Sequence, residues 1–315
     1  MEKRVVCVVV LVLLGHALNG AAGDPGTVRW ATKTGGNVPS GIAIGADGTA
    51  YATSSYYGYI GAVDPSGTRI WLLQLNSSYW ESVSAPSIAA DGTLYVRTDE
   101  IDGLWAINPD GTVKWNIPFT SGHSPSIGAD GTLYLSWGTG LDQELHALRP
   151  DGSTKWSFPT AGALVSAPSI GANGHIYLSC DADWPSQGDS LVYAIDPDGQ
   201  EVWTAPIPGR IVGSPSIGAN GTLYVGNSNG VVHTIDANGD PDWQYAAGAA
   251  ISTGVAIAED GGLFFGAANQ LHALNADGSE RWTYQAGDTV LGTPALGDDG
   301  SVYFSCRDQY VYGVD

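Results

Sequence analysis

Three aspartates in one short stretch, Asp181, Asp183 and Asp189 of CDADWPSQGDS (180–190), are the groups in this sequence with the clearest capacity for chemistry. Carboxylate oxygens are hard ligands of the kind calcium gathers, so the stretch is a candidate calcium loop, although its spacing matches no known one. Two acids held about 5 to 9 Å apart would instead suit glycoside hydrolysis, one protonating the leaving oxygen and the other attacking or activating water. Trp184 stands among these acids, and Tyr56, Tyr57, Tyr79, Trp80 with Glu81, and Trp137 occur in comparable stretches upstream. Flat rings beside hydrogen-bonding acids form platforms for a sugar or a peptide, and the same rings can also pack only against their own loops. The residue types leave these readings open. Other chemistries lack their motifs, since the chain has no His-Glu-x-x-His, no Gly-x-Ser-x-Gly and no phosphate-binding glycine loop.

The elements that must position these groups follow from a repeat. Seven tryptophans, Trp30, Trp71, Trp115, Trp156, Trp203, Trp243 and Trp282, recur at intervals of 39 to 47 residues, each with a glycine four residues before it. Between them runs a second motif, SAPSIAADGTLYV (84–96), SPSIGADGTLYL (124–135), SAPSIGANGHIYL (166–178) and SPSIGANGTLYV (214–225), with weaker copies at 40–52, 253–265 and 293–304. Asp-Gly or Asn-Gly pairs join successive apolar runs, and such pairs are a strong hairpin signal because glycine accepts positive φ. Four short antiparallel strands in about 42 residues make one blade of a β-propeller. The reading is an all-β, seven-bladed propeller over residues 24–315. His146, His233 and His272 fall where Tyr193 falls in its own repeat, which makes them strand residues rather than metal ligands.

The chain ends at VYGVD (311–315), where other repeats continue into a turn and a tryptophan strand, and DPGTVRW (24–30) reads as that strand. The N-terminal segment is therefore expected to close the ring as the outer strand of the last blade, which would hide both open edges. Residues 1–23 read as a signal peptide. Lys3 and Arg4 precede the apolar run Val5 to Leu14, and small residues follow near Ala22. The run is too short to span a bilayer, so export to the periplasm or the exterior is expected, without a transmembrane segment. Cys7 lies inside the run, and no lipoprotein-type cysteine follows it. Removing Glu2, Lys3 and Arg4 takes the net charge of −20 one unit further negative, a surface that repels nucleic acid. Cys180 and Cys306 occupy matching places in two repeats, too far apart on a ring for a disulfide, and two buried free thiols are expected.

The decads AVDPSGTRIW (62–71) and AIDPDGQEVW (194–203) resemble the pyrroloquinoline-quinone (PQQ)-like propeller repeat, in its quinoprotein-type and BamB-like forms. The resemblance covers essentially all of the chain after residue 23. It implies that the seven repeat tryptophans are structural, each docking between neighbouring blades. It does not choose a function, because the repeat serves quinone dehydrogenases and non-catalytic scaffolds alike. The first strands of the repeats, 40–44, 84–88, 124–127, 166–170, 214–217, 253–257 and 293–296, carry no charged residue. A quinone dehydrogenase needs a carboxylate base and an acid-bound calcium beside its cofactor. The family's dehydrogenases also resemble one another in an adjacent cysteine pair and an eight-bladed frame, both missing from this chain. Neither PQQ nor another organic cofactor is expected.

Loop lengths decide where recognition would occur. The Asp-Gly turns vary little, whereas the second-to-third and blade-to-blade connections vary widely, and variable loops on a rigid scaffold are the usual carriers of binding groups. Asp99, Glu100, Asp102, Asp142 and Glu144 join the rings and acids named above, all within the first four repeats. The expectation is a monomeric, non-catalytic propeller that binds a protein, peptide or glycan through the loop face of blades 1 to 4. The alternative is a polysaccharide- or lactone-acting hydrolase or lyase using the acidic loops.

Overall fold

The structure is a computed structural model that describes residues 30–32, 41–54, 58–75, 83–98, 103–118, 123–139, 142–164, 166–181 and 189–315, without the side chains of Thr139 and Asp142. The proposed signal peptide lies outside the described residues. The described residues form antiparallel strands and no helix, and so no helix long and apolar enough to cross a membrane.

Each repeat folds into one sheet whose strands lie side by side in chain order. The first is Ile42–Ile44, Ala50–Ser54, Tyr59–Val63 and Arg69–Gln74, and the second Ser87–Ile88, Leu94–Arg97, Leu104–Ile107 and Val113–Ile117. The third is Ser126–Ile127, Leu133–Thr139, Asp142–Leu148 and Thr154–Pro159. In the fourth, Ala163–Leu164 and Ser169–Ile170 both pair with Ile176–Asp181, followed by Ser190–Ile195 and Glu201–Ile207. The fifth is Ile211–Ile217, Leu223–Asn227, Val231–Ile235 and Pro241–Ala246, and the sixth Ala256–Ile257, Leu263–Ala267, Gln270–Leu274 and Glu280–Gln285. The last has three strands, Val290–Leu296, Val302–Cys306 and Val311–Val314. The chain divides into two compact units, residues 1–133 with 148–153, and residues 134–147 with 154–315.

The turns explain the Asp-Gly pairs. In Gly45 to Thr49, the Gly48 amide donates to the Gly45 carbonyl at 2.9 Å and the Gly45 amide to the Thr49 carbonyl at 2.8 Å. Only the glycine enters the left-handed region. The aspartate keeps a negative φ and its Oδ1 accepts the amide two residues on, as in Asp47 with Thr49 at 2.9 Å and Asp151 with Ser153 at 2.9 Å. This use of Asp is an Asx turn, so the carboxylate serves its own backbone.

These bonds make stability depend on acid pH. The Thr49 amide, then its hydroxyl, holds Asp47 below the usual carboxylate range, and the hydroxyls, then the amides, of Thr112, Ser153 and Ser279 do the same for Asp110, Asp151 and Asp277. A folded pKa below the unfolded value of about 3.9 gives stability that is present above that pH and lost as pH falls through the folded values. Protonation also relieves the repulsion of the net charge of −20. That term is long-range and screened beyond about 8 Å at physiological salt, so the local bonds decide the sign. Thermal melts at 0.15 M salt (the physiological value) should hold nearly level from neutral pH to about 5 and fall below about 4. A midpoint still level at about pH 2 would contradict the account.

Packing lies between successive sheets. The second strands, LYV and IYL in type, are buried on both sides, and clusters such as Tyr177, Val192, Leu223 and Val225 join one sheet to the next. The small residue of the Ala-x-Asp motif has a steric reason. Ala62 pairs with Trp71, Ala106 with Trp115, Ala194 with Trp203 and Ala273 with Trp282, with a register shift one residue later in each. Cys180 and Cys306 are buried free thiols, and burial pushes Cys180 up to about 11. His146, His233 and His272 are strand residues.

Candidate functional site

Any site on this scaffold depends on how rigidly successive sheets are joined, and three sets of contacts do this. In the first, the Trp71 Nε1–H donates to the Pro109 carbonyl at 2.8 Å, that of Trp115 to Pro150 at 2.9 Å, that of Trp156 to Pro197 at 2.9 Å and that of Trp203 to Ala237 at 3.1 Å. Each ring lies flat on the third-to-fourth turn of the following sheet, over the glycine that precedes the next tryptophan by four residues. Trp243 covers Gly278 in the same way. Trp30 donates to Pro65 at 3.1 Å and covers Gly67, so it occupies the same place against the first sheet. Trp282 packs with Phe264 at 5.8 Å between ring centres.

The second set runs along the first strands. The Ser87 hydroxyl donates to Pro125 at 2.8 Å while the Ser124 hydroxyl donates back to Ala85 at 3.2 Å. The Ser169 hydroxyl donates to Pro215 at 2.6 Å and that of Ser214 back to Ala167 at 2.9 Å. Ser-Ala-Pro-Ser of the second and fourth sheets and Ser-Pro-Ser of the third and fifth therefore form reciprocal latches between neighbouring sheets. The sequence alone suggested only a neutral wall, and the signal for the latch was a serine beside the proline in each of two successive repeats. Two first strands, Ile211–Ile217 and Val290–Leu296, also begin earlier than the motif indicated, with a break in pairing between their halves.

The third set is a row of side chains two residues after the tryptophan, aliphatic in the first two sheets (Leu73 and Ile117) and aromatic in the third, fifth and sixth. Phe158 meets Tyr193 edge-on at 5.7 Å, Tyr245 meets His272 at 5.8 Å and Tyr284 meets Tyr312 at 5.7 Å, each pair crossing to the following sheet. The Tyr245 hydroxyl donates to Glu280 Oε2 at 2.5 Å and lies 3.3 Å from His272 Nδ1. Residue types change along this row, which hid it from a motif search.

Most of the loop residues singled out as binding candidates, Tyr56, Tyr57, Tyr79, Trp80, Glu81 and Trp184, lie outside the described residues, as do Asp99, Glu100, Asp102 and Asp183. Trp137 is half-buried, with its ring 4.8 Å from that of His146, whose Nε2 lies 3.0 Å from Glu144 Oε2. Burial lowers the His146 pKa against the raising effect of Glu144.

Asp181 is a buried strand residue rather than a rim acid, only 5% exposed. Its Oδ1 accepts the Ser190 hydroxyl at 2.9 Å, and its Oδ2 pairs with Arg210 Nε at 2.9 Å. Asp189 Oδ1 accepts the Gly209 amide at 2.9 Å, and Ser190 Oγ accepts the Ile211 amide at 3.0 Å. The base of the 182–188 insertion is thus tied to the connection 209–211. Both Asp181 oxygens already have protein donors, Ser190 and Arg210. Among the described residues, no three acids, histidines or cysteines are grouped to hold a metal ion.

Against known proteins, the model of the family described as outer membrane protein assembly factor BamB matches residues 19–126, 57–249 and 228–315. The chain belongs to this family. No curated protein matches its sequence. Among solved structures it is similar to BamB from Moraxella catarrhalis, with TM-score 0.71 and 15% identity over 91% of this chain and 88% of that one. It is also similar to the Dos1 propeller, with TM-score 0.69 and 11% identity over 87% and 76%, and to a streptogramin B lyase structure, with TM-score 0.60 and 16% identity over 87% and 92%. At such identities the likeness is one of fold, and the BamB family's PQQ-like repeat on a β-propeller framework is what this chain shares.

Proposed function

We propose that this BamB-family chain is an exported, monomeric, non-catalytic propeller that scaffolds or binds a protein, peptide or glycan through the loop face of blades 1 to 4. The observation that carries the reading is the family itself, an outer membrane protein assembly factor, on a framework whose sheets are latched at their first strands and tryptophan turns. Such a framework holds loops without needing chemistry in them. The Asp181–Arg210 pair supports it by using an acid for anchoring at the foot of the longest insertion. The hydrolase or lyase alternative gains nothing from these contacts.

The fold part of the proposal is a ring of seven blades. The last sheet has three strands, and Trp30 sits on Pro65 and Gly67 as the other tryptophans sit on their own following turns. Residues 24–30 as the missing strand account for both facts.

A Trp80→Ala/Trp184→Ala variant tests the loop face. A glycan array and chemical crosslinking in the producing cells would first identify what the full chain binds. The double variant should keep the wild-type melting midpoint and lose about tenfold or more in affinity, the scale of two aromatic anchors. Full affinity in a folded double variant would remove this surface from consideration. Hydrolysis of a polysaccharide or lactone by purified protein, abolished in Asp183→Asn, would favour the alternative.

A further inference from the structure

The side chain two residues after the tryptophan changes along the chain, from Leu73 and Ile117 in the first two sheets to rings in later ones. At the seams leaving the third, fifth and sixth sheets, the residue two after the tryptophan is Phe158, Tyr245 or Tyr284, and its ring fills the space against the third strand of the next sheet. At the seam between the fourth and fifth sheets that residue is Ala205. A cavity of about 150 Å³ lies there, lined by Ala205, Ile207, Ile235, Pro241, His233 and Gln244 among others. Apolar cavities of about 150 Å³ take up one benzene ring.

The cavity also contains unused polar groups, the buried Thr204 hydroxyl and the imidazole of His233. His233 is 5% exposed and faces this seam, and its Nε2 lies 3.0 Å from the Asn227 side-chain nitrogen. That nitrogen only donates, because Asn227 Oδ1 accepts the Val231 amide at 2.8 Å and Nδ2 also donates to Pro208 at 2.7 Å. The Nε2 is therefore the acceptor and the ring proton sits on Nδ1, for which the described residues supply no acceptor. In the adjoining seam the equivalent nitrogen, His272 Nδ1, meets the hydroxyl of Tyr245.

We propose that the seam between the fourth and fifth sheets is a binding site for one phenol ring, its edge against the His233 imidazole and its oxygen accepting the Nδ1 proton. The ligand would occupy the place that Tyr245 fills in the next seam. Two sources share this chemistry, a free small phenol and the tyrosine side chain of a peptide. The site shares no residue with the loop-face candidates, so Ala205→Phe and Trp80→Ala/Trp184→Ala test the two readings separately.

The test is an NMR titration of the full chain with p-cresol, reading both His233 imidazole nitrogens. Saturable shifts at His233 are expected at millimolar p-cresol, with toluene binding about fivefold more weakly for want of the hydroxyl. Ala205→Phe supplies the ring from within the chain, and the p-cresol shifts should disappear in it. Ala205→Leu is read in the same way should the phenylalanine variant not fold. N-acetyltyrosinamide binding as well as p-cresol would identify a peptide side chain as the ligand, and p-cresol binding alone a free phenol. Unmoved His233 signals in the wild type, or wild-type shifts persisting in the filled variant, would overturn the proposal.

Discussion

Replacing Trp156 by alanine should cost about 3 kcal/mol, the low end for a truncated tryptophan because this ring is only half-buried. The loss has two parts, the ring packed over Gly199 and the 2.9 Å bond to the Pro197 carbonyl. Gly199 is the other half of the contact. It has φ +85°, and a Cβ built there would lie 2.6 Å from the Trp156 ring. Gly199→Ala therefore combines an unfavourable backbone conformation, about 1 kcal/mol, with a clash of similar or larger size. In Trp156→Ala/Gly199→Ala the clash is gone, so the double variant should be more stable than the sum of the singles by about 1 kcal/mol or more. Gly248, at φ +78° with nothing near its missing Cβ, is the control, and Gly248→Ala should show the backbone cost alone. Equilibrium unfolding in urea measures all four. Strict additivity would mean that the ring and the turn do not bear on each other.

The second large effect concerns the edge of the last sheet. Val311–Val314 is its outermost described strand, and Tyr310 and Val311 are 67% and 75% exposed, whereas the third strands of the fourth and sixth sheets are mostly buried. If residues 24–30 complete this sheet, deleting 24–32 removes a strand and the Trp30 contact together, at a cost of about 3 kcal/mol or more. Hydrogen exchange distinguishes this from a general loosening. The amides of Val311–Val314 that do not pair with Val302–Cys306 should lose protection in the truncated chain, while Leu223–Asn227 keeps its own. Protection unchanged at 311–314 would refute strand completion and with it the closed seven-blade reading.

What could be read in the sequence was whatever every repeat does in the same way. The Asp-Gly turns, the LYV-type second strands and the tryptophan four residues after a glycine each impose one backbone geometry, and repetition made them visible. The two buried thiols followed from their matching places. Features that hold one particular seam together were not legible. Phe158, Tyr245 and Tyr284 do one job with different residues, and Ala205 vacates it, so no single motif marks the row. Asp181 looked like a rim acid because the residues after it are polar, yet its strand runs on to include it and Arg210, 29 positions later, neutralises it. The aromatic loops of blades 1 to 4 had no repeat to calibrate them.

The serine latch has a consequence for how such a molecule can arise. Donor and acceptor are both carried by one short segment, and at two seams each sheet offers its neighbour what it receives in return, as Ser87 with Pro125 and Ser124 with Ala85 show. A duplicated copy is compatible with its parent from the moment it appears, before any substitution adapts it. Growth by gene duplication needs no new interface, and divergence can then be confined to the connections.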